Sequence, residues 1–283
     1  MLQIVTDGAA DLPASWEAEY DIHILPLRVS FGEETFTQGP GFTHNDFYRK
    51  VMEKRIIPKT SLPSPGQVAQ FYRSIAHPGD IILSLHVSAK LSGTFSTVQT
   101  AARELAGQYQ IFVFDTGAGS AVQGFMAREA RLLDRAGQPI NAILKRLEWI
   151  RERLTVLFTL DNLEFAYLNG RISALQNIFS SILQVKPVIV LRDGMLEIGD
   201  KVRTRHRALD KILEMACSKL ENRLVNIAIV HAADPHMAQE MLEKVRKVLR
   251  IREDMITDLA IPVAANLGPG TIGIVAYPVE EES

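Results

Sequence analysis

Three features are scarce in this sequence: cysteine, long apolar runs and excess charge of either sign. The 283 residues include one cysteine, Cys217, so no internal disulfide can form. Cys217 lies among apolar residues at helical spacing, which indicates a packed helix face rather than a reactive thiol. No apolar run approaches the roughly 18 residues that span a bilayer. The first residues also lack the basic and apolar stretches of a signal peptide. These absences predict a cytoplasmic protein.

The charge is balanced, because 31 Lys and Arg residues face 33 Asp and Glu residues, for a net charge of -2. Such a surface has no field that would concentrate polyanions, which argues against a nucleic-acid partner. Apolar residues make up 47% of the chain, enough to bury either one large core or two modest ones.

Short apolar runs without polar alternation alternate with helical patterns in the first half of the chain. Such runs indicate strands covered on both faces, which is typical of a parallel sheet. The predicted strands are residues 3–5, 81–85 and 111–114, and the predicted helices are residues 65–75, 94–105, 124–136 and 140–151. Small polar residues follow each strand, and parallel sheets bind ligands at that edge.

The second half of the chain has a different signature. Asp193 and Gly194 separate the apolar runs 188–191 and 195–198, which predicts an antiparallel hairpin. Further predicted helices are residues 208–220 and 237–249, and further predicted strands are residues 225–230, 256–261 and 271–276. The sequence therefore predicts an α/β domain with a parallel sheet over residues 1–151, followed by an α+β domain with a mainly antiparallel sheet over residues 152–283.

The first candidate site is the loop that leaves the strand at residues 81–85 and enters the next helix. Ser92, Gly93 and Thr94 place two hydroxyls and free backbone amides at a helix N-terminus, and this arrangement suits an anion. Simple helix capping by Ser92 or Thr94 explains the same residues and remains open.

Two further segments are candidates for the same ligand. Ser64 resembles a helix N-cap before Pro65, which leaves the hydroxyls of Thr60 and Ser61 without a capping role. The turn of residues 266–270 could bring backbone amides close to a ligand, with an ordinary turn as the alternative.

Taken in order, seven segments resemble the DegV family of bacterial fatty-acid-binding proteins. They are Ile4-Val5-Thr6-Asp7, Thr60-Ser61-Leu62-Pro63-Ser64, Leu91-Ser92-Gly93-Thr94, Asn169-Gly170-Arg171-Ile172, Lys186-Pro187-Val188, Arg203-Thr204-Arg205 and Gly268-Pro269-Gly270. The resemblance implies a two-domain carrier, not an enzyme, that holds one long-chain fatty acid between its domains and needs no cofactor. A separate fatty acid kinase would phosphorylate the acid for phospholipid synthesis and would supply ATP and magnesium.

The resemblance also implies roles for particular residues. The carboxylate would bind the hydroxyls of Thr60 and Ser92, and the wider ligand site would include Ser61, Gly93, Thr94, Asn266 and Gly268. Arg171 and Arg203 would meet the kinase or the acyl phosphate, since a guanidinium suits phosphate. A solvated basic face before a helix is the alternative for Arg203.

Three positions depart from the family pattern. The family commonly has Ser at Gly8, Gln at Leu62 and His at Asn266. The last departure matters most, because Asn266 can donate a hydrogen bond but cannot carry a positive charge. Ligand binding without coupling to a kinase is therefore an alternative function.

Enzymatic alternatives are weaker. Residues 115–120 resemble a dinucleotide-binding turn, but the next glycine, Gly124, comes too late for the usual phosphate contact. His86 lies near Ser88 and Ser92, as a serine hydrolase would need, but no Gly-x-Ser-x-Gly elbow is present. A metal site could be formed by His231, Asp234 and His236, although Asp234 as a helix cap before Pro235 explains these residues more simply.

Overall fold

The computed structural model describes residues 1–13, 15–172, 175 and 185–280. The chain divides into two compact units. Unit 1 comprises residues 1–151 and 260–262, and unit 2 comprises residues 152–259 and 263–283.

A four-stranded parallel sheet forms the centre of unit 1. Its strand order is β2-β1-β6-β7, and its strands are β1 (Leu2–Asp7), β2 (Ile22–Leu25), β6 (Ile81–His86) and β7 (Gln110–Asp115). All neighbouring strands run parallel, as the unbroken apolar runs predicted. The carboxyl ends of β1, β6 and β7 therefore lie side by side, with Asp7, His86 and Asp115 as their last residues.

Unit 1 contains six helices within the described residues. They are α1 (Trp16–Glu19), α2 (His44–Lys54), α3 (Pro65–Ile75), α4 (Thr94–Glu104), α5 (Ala121–Arg135) and α6 (Ile140–Glu152). Of these, α1, α3, α4 and α5 contact the parallel sheet. Helix α3 begins as predicted, because Ser64 accepts a hydrogen bond from the Gln67 amide and the Gln67 side chain accepts one from the Ser64 amide. Val68, Tyr72 and Val98 from α3 and α4 cover one face of the sheet.

A small antiparallel sheet, which the sequence analysis missed, completes unit 1. Its order is β4-β3-β5, and its strands are β3 (Arg28–Phe31), β4 (Glu34–Thr37) and β5 (Lys59–Ser61). Val29 faces Phe36 on one side and Thr60 on the other. Because side chains alternate along a strand, Thr60 lies on the same face as the buried Val29, whereas Ser61 lies on the opposite face with Arg28.

Unit 2 is built on a six-stranded mixed sheet. Its order is β10-β9-β8-β13-β11-β12, and its strands are β8 (Thr155–Thr159), β9 (Lys186–Arg192), β10 (Met195–Val202), β11 (Leu224–His231), β12 (Arg250–Asp258) and β13 (Ile272–Pro278). Only β11 and β12 pair in parallel, so the sheet is mainly antiparallel, as predicted. Asp193 and Gly194 form the predicted hairpin turn, both with positive φ.

The helices of unit 2 within the described residues are α7 (Leu163–Asn169), α8 (Arg205–Leu220) and α9 (Pro235–Arg246), together with α10 (Ile261–Leu267), whose first two residues are assigned to unit 1. Ile212, Met241 and Ile274 belong to the apolar core, and the half-buried Cys217 packs against it. The strand predicted over residues 256–261 was misplaced: β12 ends at Asp258, and Ile261 begins a helix. No helix in the described part of the chain is both long and apolar enough to cross a membrane.

Candidate functional site

The loop of residues 87–93, here called the β6–α4 loop, is held by hydrogen bonds that its consecutive backbone amides donate. The donors and acceptors are Val87 N to Asp7 Oδ2, Ser88 N to Ala118 O, Ala89 N to Asp115 Oδ2, Lys90 N to Ser88 Oγ, and Leu91 N and Ser92 N to Ser88 O. These six amides are therefore all satisfied within unit 1. The first three amides bond to Asp7 on β1, Ala118 after β7 and Asp115 on β7, and the other three bond to Ser88 in the loop itself. The strand ends therefore fix the start of the loop, and bonds within the loop fix Ser92 relative to that start.

The amides that follow Ser92 are different. Among the described residues, the amides of Gly93, Phe95 and Ser96 have no hydrogen-bond acceptor. Ser92 Oγ and Thr94 Oγ1 lie 2.9 Å apart, and Thr94 N donates to Ser92 Oγ over 3.3 Å. Gly93 is the N-cap of α4 and has no side chain to cap it. Helix capping thus uses one long bond to Ser92 and leaves three amides available to an anion.

Strand β5, which carries Thr60 and Ser61, ends beside the same loop. Thr60 is half-buried, and no described residue forms a hydrogen bond with its hydroxyl. Leu62 follows closely, and its Cδ2 lies 3.3 Å from the position that a Cβ on Gly93 would take. This contact places the end of β5 beside the β6–α4 loop. The exposed Ser61 points to the other face of the strand, so the two hydroxyls do not converge.

The turn of residues 266–270 in unit 2 has no backbone amide to spare. Gly268 N donates to the Ala264 carbonyl (2.8 Å), and Gly270 N donates to the Ala232 carbonyl (2.8 Å). Gly268 has φ of +84°, and a Cβ there would lie 2.8 Å from the Phe165 ring. The amides of Gly268 and Gly270 are therefore used within unit 2, and of the two interpretations that the sequence left open, the ordinary turn is what forms. Asn266 is half-buried in the last turn of α10.

The three arginines of unit 2 singled out by sequence have different surroundings. Arg171 is exposed as a residue, but its guanidinium donates to the Asn169 carbonyl, and desolvation lowers its pKa below the usual value. Arg203 is exposed and forms no ion pair with any described residue. Arg205 binds Asp234 Oδ2 (2.6 Å) and the Gly270 carbonyl (2.9 Å). Arg205 is thus structural, whereas Arg203 is available to a partner.

Replacing Arg205 by Ala is expected to destabilise the protein by about 1–3 kcal/mol, because a charge-assisted hydrogen bond network is lost. Replacing Arg203 by Ala is the matched control and should change stability by less than about 0.5 kcal/mol. Denaturant unfolding of both variants measures the difference. Equal stabilities of the two variants would contradict the structural role of Arg205.

The residues of the alternative metal site have separate roles. Asp234 is the N-cap of α9 and accepts a hydrogen bond from the Met237 amide (3.2 Å). His236 is exposed and lies 3.3 Å from Glu240. In the described ranges, no group of three or more His, Cys, Asp or Glu residues could hold a metal ion.

The alternative dinucleotide turn, residues 115–120, is occupied by its own unit. Asp115 Oδ1 accepts from the Gly117 amide (2.8 Å), and the Ser120 hydroxyl donates to Asp11. Gly124 lies inside α5, where a Cβ would clash with the Asp11 carbonyl. These glycines therefore serve packing, and nothing in the turn presents a phosphate cradle.

A serine, a histidine and an aspartate do meet in unit 1: His86 is the histidine considered from the sequence, but its partners are Ser84 and Asp7 rather than Ser88 or Ser92. Ser84 Oγ lies 2.7 Å from His86 Nε2, and His86 Nδ1 lies 2.9 Å from Asp7 Oδ2. All three side chains are fully buried, and Tyr72 donates to the Ser84 hydroxyl over 2.7 Å. Burial raises the pKa of Tyr72 well above its usual value, which keeps the phenol protonated as a donor. A substrate cannot reach Ser84, so this arrangement does not support hydrolysis.

The Asp7 carboxylate is ionised inside the core. Burial by itself raises its pKa, but hydrogen bonds from His86, Ala9 and Val87 together hold the pKa below its usual value. A lowered pKa in the folded state adds stability above the unfolded-state pKa, near 4, and this stability is lost as the pH falls through the folded-state value.

The stability lost on replacing Asp7 by Asn should therefore be largest at neutral pH and should shrink as the pH falls below about 4. The measurement is the free energy of unfolding of both proteins in denaturant at pH 7, 5 and about 3.5. A difference that grows on acidification would contradict an ionised Asp7.

Comparison with known proteins bears on these observations. A family sequence model described as "Uncharacterised protein, DegV family" matches residues 1–279. The chain belongs to the DegV family. It is 33% identical to a DegV domain-containing protein of Streptomyces coelicolor over 274 residues, which cover 96% of each chain.

Two solved DegV structures share the whole fold. A fatty-acid-binding DegV family protein from Thermus thermophilus has a TM-score of 0.89 and 31% identity, over 98% of this chain and 99% of that one. DegV of Bacillus subtilis, a fatty acid binding protein, has a TM-score of 0.88 and 27% identity, over 98% and 99% of the two chains.

Local packing accounts for one departure from the DegV pattern. A Cβ at Gly8 would collide with Gln38 Oε1 and lie 3.2 Å from the Leu27 amide nitrogen. Gln38 therefore fills the space that a serine side chain would need. At Leu62, the side chain is 46% exposed although it lies beside Gly93, so an apolar group borders the free amides.

Proposed function

We propose that this DegV protein binds a long-chain fatty acid and holds its carboxylate at the β6–α4 loop. The observation that carries the proposal concerns the backbone amides on either side of Ser92. The six amides of residues 87–92 have acceptors within unit 1, whereas those of Gly93, Phe95 and Ser96 have none among the described residues. The Ser92 hydroxyl lies next to these amides in sequence, and the Thr60 hydroxyl, on the strand that ends beside Gly93, has no hydrogen-bond partner in the described part of the chain. Related proteins described as fatty-acid-binding support the choice of ligand.

The energetics favour neutral donors at this site. Burying about fifteen methylenes at about 0.8 kcal/mol each contributes roughly 12 kcal/mol before the entropy of binding is subtracted. A buried carboxylate without donors would cost several kcal/mol. Hydroxyls and amides remove that cost and add no competing positive charge. The tail thus supplies the affinity, and the loop decides which head group is accepted.

We further propose that the protein is a carrier that presents the acid to a separate fatty acid kinase. Arg203, exposed and without an ion pair to any described residue, supports a contact with a phosphorylating partner. Arg171 is assigned the same role by its place in the DegV pattern. The second candidate function is lipid binding uncoupled from a kinase. Asn266 favours it because a side-chain amide, unlike an imidazole, cannot take up an additional proton and become positively charged.

Calorimetry with delipidated protein tests the proposal. Palmitic acid should bind, whereas its methyl ester and the matching alcohol should bind at least about tenfold more weakly, because they lack the charged acceptor. Equal affinity for the three ligands would exclude a carboxylate clamp. Acyl phosphate formation with an added fatty acid kinase and ATP separates the carrier from the uncoupled protein.

A further inference from the structure

A chain of polar side chains crosses the core of unit 1 and is not explained by ligand contact. It runs from Tyr72 on α3 through Ser84 and His86 on β6 to Asp7 on β1. Each of these side chains is fully buried. A buried polar chain is costly unless every member is satisfied, so its presence calls for a role beyond packing.

The protons of this chain can be assigned from its donors. Tyr72 donates to Ser84, so the single proton of the Ser84 hydroxyl remains for His86 Nε2, which must accept it. On the other side of the imidazole ring, Nδ1 donates to Asp7 Oδ2.

Asp7 connects this series of hydrogen-bonded side chains to the polypeptide backbone. Its Oδ2 accepts from His86 Nδ1 and from the Val87 amide, and its Oδ1 accepts from the Ala9 amide (2.9 Å) and Gln123 Nε2 (3.2 Å). The carboxylate is thus saturated by four donors. The Val87 amide is the first of the six that fix the β6–α4 loop.

We propose that Asp7 and His86 are positioning residues for the fatty acid head group, because they set the start of the β6–α4 loop and thereby the place of Ser92 and Gly93. The inference rests on the proposed function. His86 orients the Asp7 carboxylate, and this carboxylate accepts the hydrogen bond from the Val87 amide. The position of Val87 in turn sets where the next residues of the loop begin. Neither residue touches the ligand.

Three variants separate this role from general stability. Asp7→Asn replaces one carboxylate oxygen by an amide group, which faces donors it cannot satisfy. His86→Gln retains an acceptor for Ser84 but loses the donor to Asp7. His86→Asn retains a donor towards Asp7 but loses the acceptor for Ser84. Asn is one methylene shorter than Gln, so the thermal midpoint of each variant is measured beside its palmitate affinity to separate a loss of packing from a loss of positioning.

Asp80→Asn is the matched control for Asp7→Asn. Asp80 lies just before β6, at the other end of the sheet from Asp7. It accepts from the Met1 ammonium (2.8 Å), Gln3 Nε2 (3.2 Å) and the His77 amide (3.0 Å). It is 9% exposed. The control therefore makes the same chemical change at a buried carboxylate that has no bond to the β6–α4 loop.

The measurements are the palmitate dissociation constant, the thermal midpoint and the hydrogen exchange of residues 88–94. Asp7→Asn and His86→Gln should weaken palmitate binding by about tenfold or more and accelerate exchange in the loop by a similar factor. His86→Asn and Asp80→Asn should remain within about threefold of the natural protein in both.

Equal palmitate affinity of His86→Gln and His86→Asn would overturn the inference, as would an equal loss of affinity in Asp80→Asn. If Asp7→Asn does not fold, the two His86 variants decide the question alone. If the natural protein takes up no palmitate, the proposed function fails, and the exchange data still report whether Asp7 and His86 fix the loop.

Discussion

Replacing Ser92 by Ala together with Thr60 by Val is expected to weaken fatty acid binding by about 100-fold or more. A hydrogen bond to a charged acceptor contributes about 1.5–3 kcal/mol. Because about 1.4 kcal/mol corresponds to a tenfold change in the dissociation constant, losing two such bonds weakens binding by about 100-fold or more. Ser92 immediately precedes the available amides of Gly93, Phe95 and Ser96, and Thr60 lies on β5, which ends beside Gly93. Isothermal titration of delipidated protein with palmitic acid measures the loss, and each single variant should show about tenfold.

Ser61→Ala is the control for this prediction, since Ser61 is the neighbour of Thr60 on the same strand but on its opposite face. Its affinity should stay within about twofold of the natural protein. A loss at Ser61 comparable to that at Thr60 would show that the ligand approaches the other face of β5. An unchanged double variant would remove the carboxylate from this loop altogether.

The second large effect is expected at Gly124, where substitution by Ala should destabilise unit 1 by about 1–3 kcal/mol. Helix propensity alone favours Ala over Gly by about 1 kcal/mol. At Gly124 the new Cβ would clash with the Asp11 carbonyl and lie 2.9 Å from Leu12 Cδ2. Backbone cannot yield as a flexible side chain does, so the clash outweighs the propensity.

Gly66→Ala is expected to have the opposite effect on the free energy of unfolding. Gly66 also lies in a helix, α3, but no atom lies within 4 Å of the position that its Cβ would take. This substitution should stabilise the protein by about 0.4–1 kcal/mol. Thermal and denaturant unfolding of the two variants compare the same chemical change in crowded and open surroundings. Stabilisation at both positions would refute the close approach of α5 to Asp11.

Much of the architecture could be predicted from the sequence. Helix α3 begins at Pro65 and ends at Ile75 as expected, because a capping box marks its start. The hairpin at Asp193 and Gly194 was equally clear. The three-stranded sheet was missed, although Phe31 and Glu34 flank Gly32 and Glu33, a two-residue hairpin turn with a glycine first. Short strands with few apolar residues give a weak periodic signal.

The candidate site was predictable in its residue types and less so in its geometry. Hydroxyls at Ser92 and Thr60 stand out in the sequence, but the opposed faces of Thr60 and Ser61 depend on β5, a strand that was not expected. The internal bonds of Gly268 and Gly270 depend on a helix end and a distant carbonyl. The pairing of Asp7 with His86 joins residues 79 positions apart, which no local pattern encodes.

The most direct test of fatty acid binding is native mass spectrometry of the protein as purified from cells. The proposed function predicts a complex heavier than the chain by the mass of one long-chain fatty acid. Extraction with organic solvent should release that acid, and added palmitic acid should restore the complex. A protein that carries no lipid in any preparation and takes up no added fatty acid would contradict it.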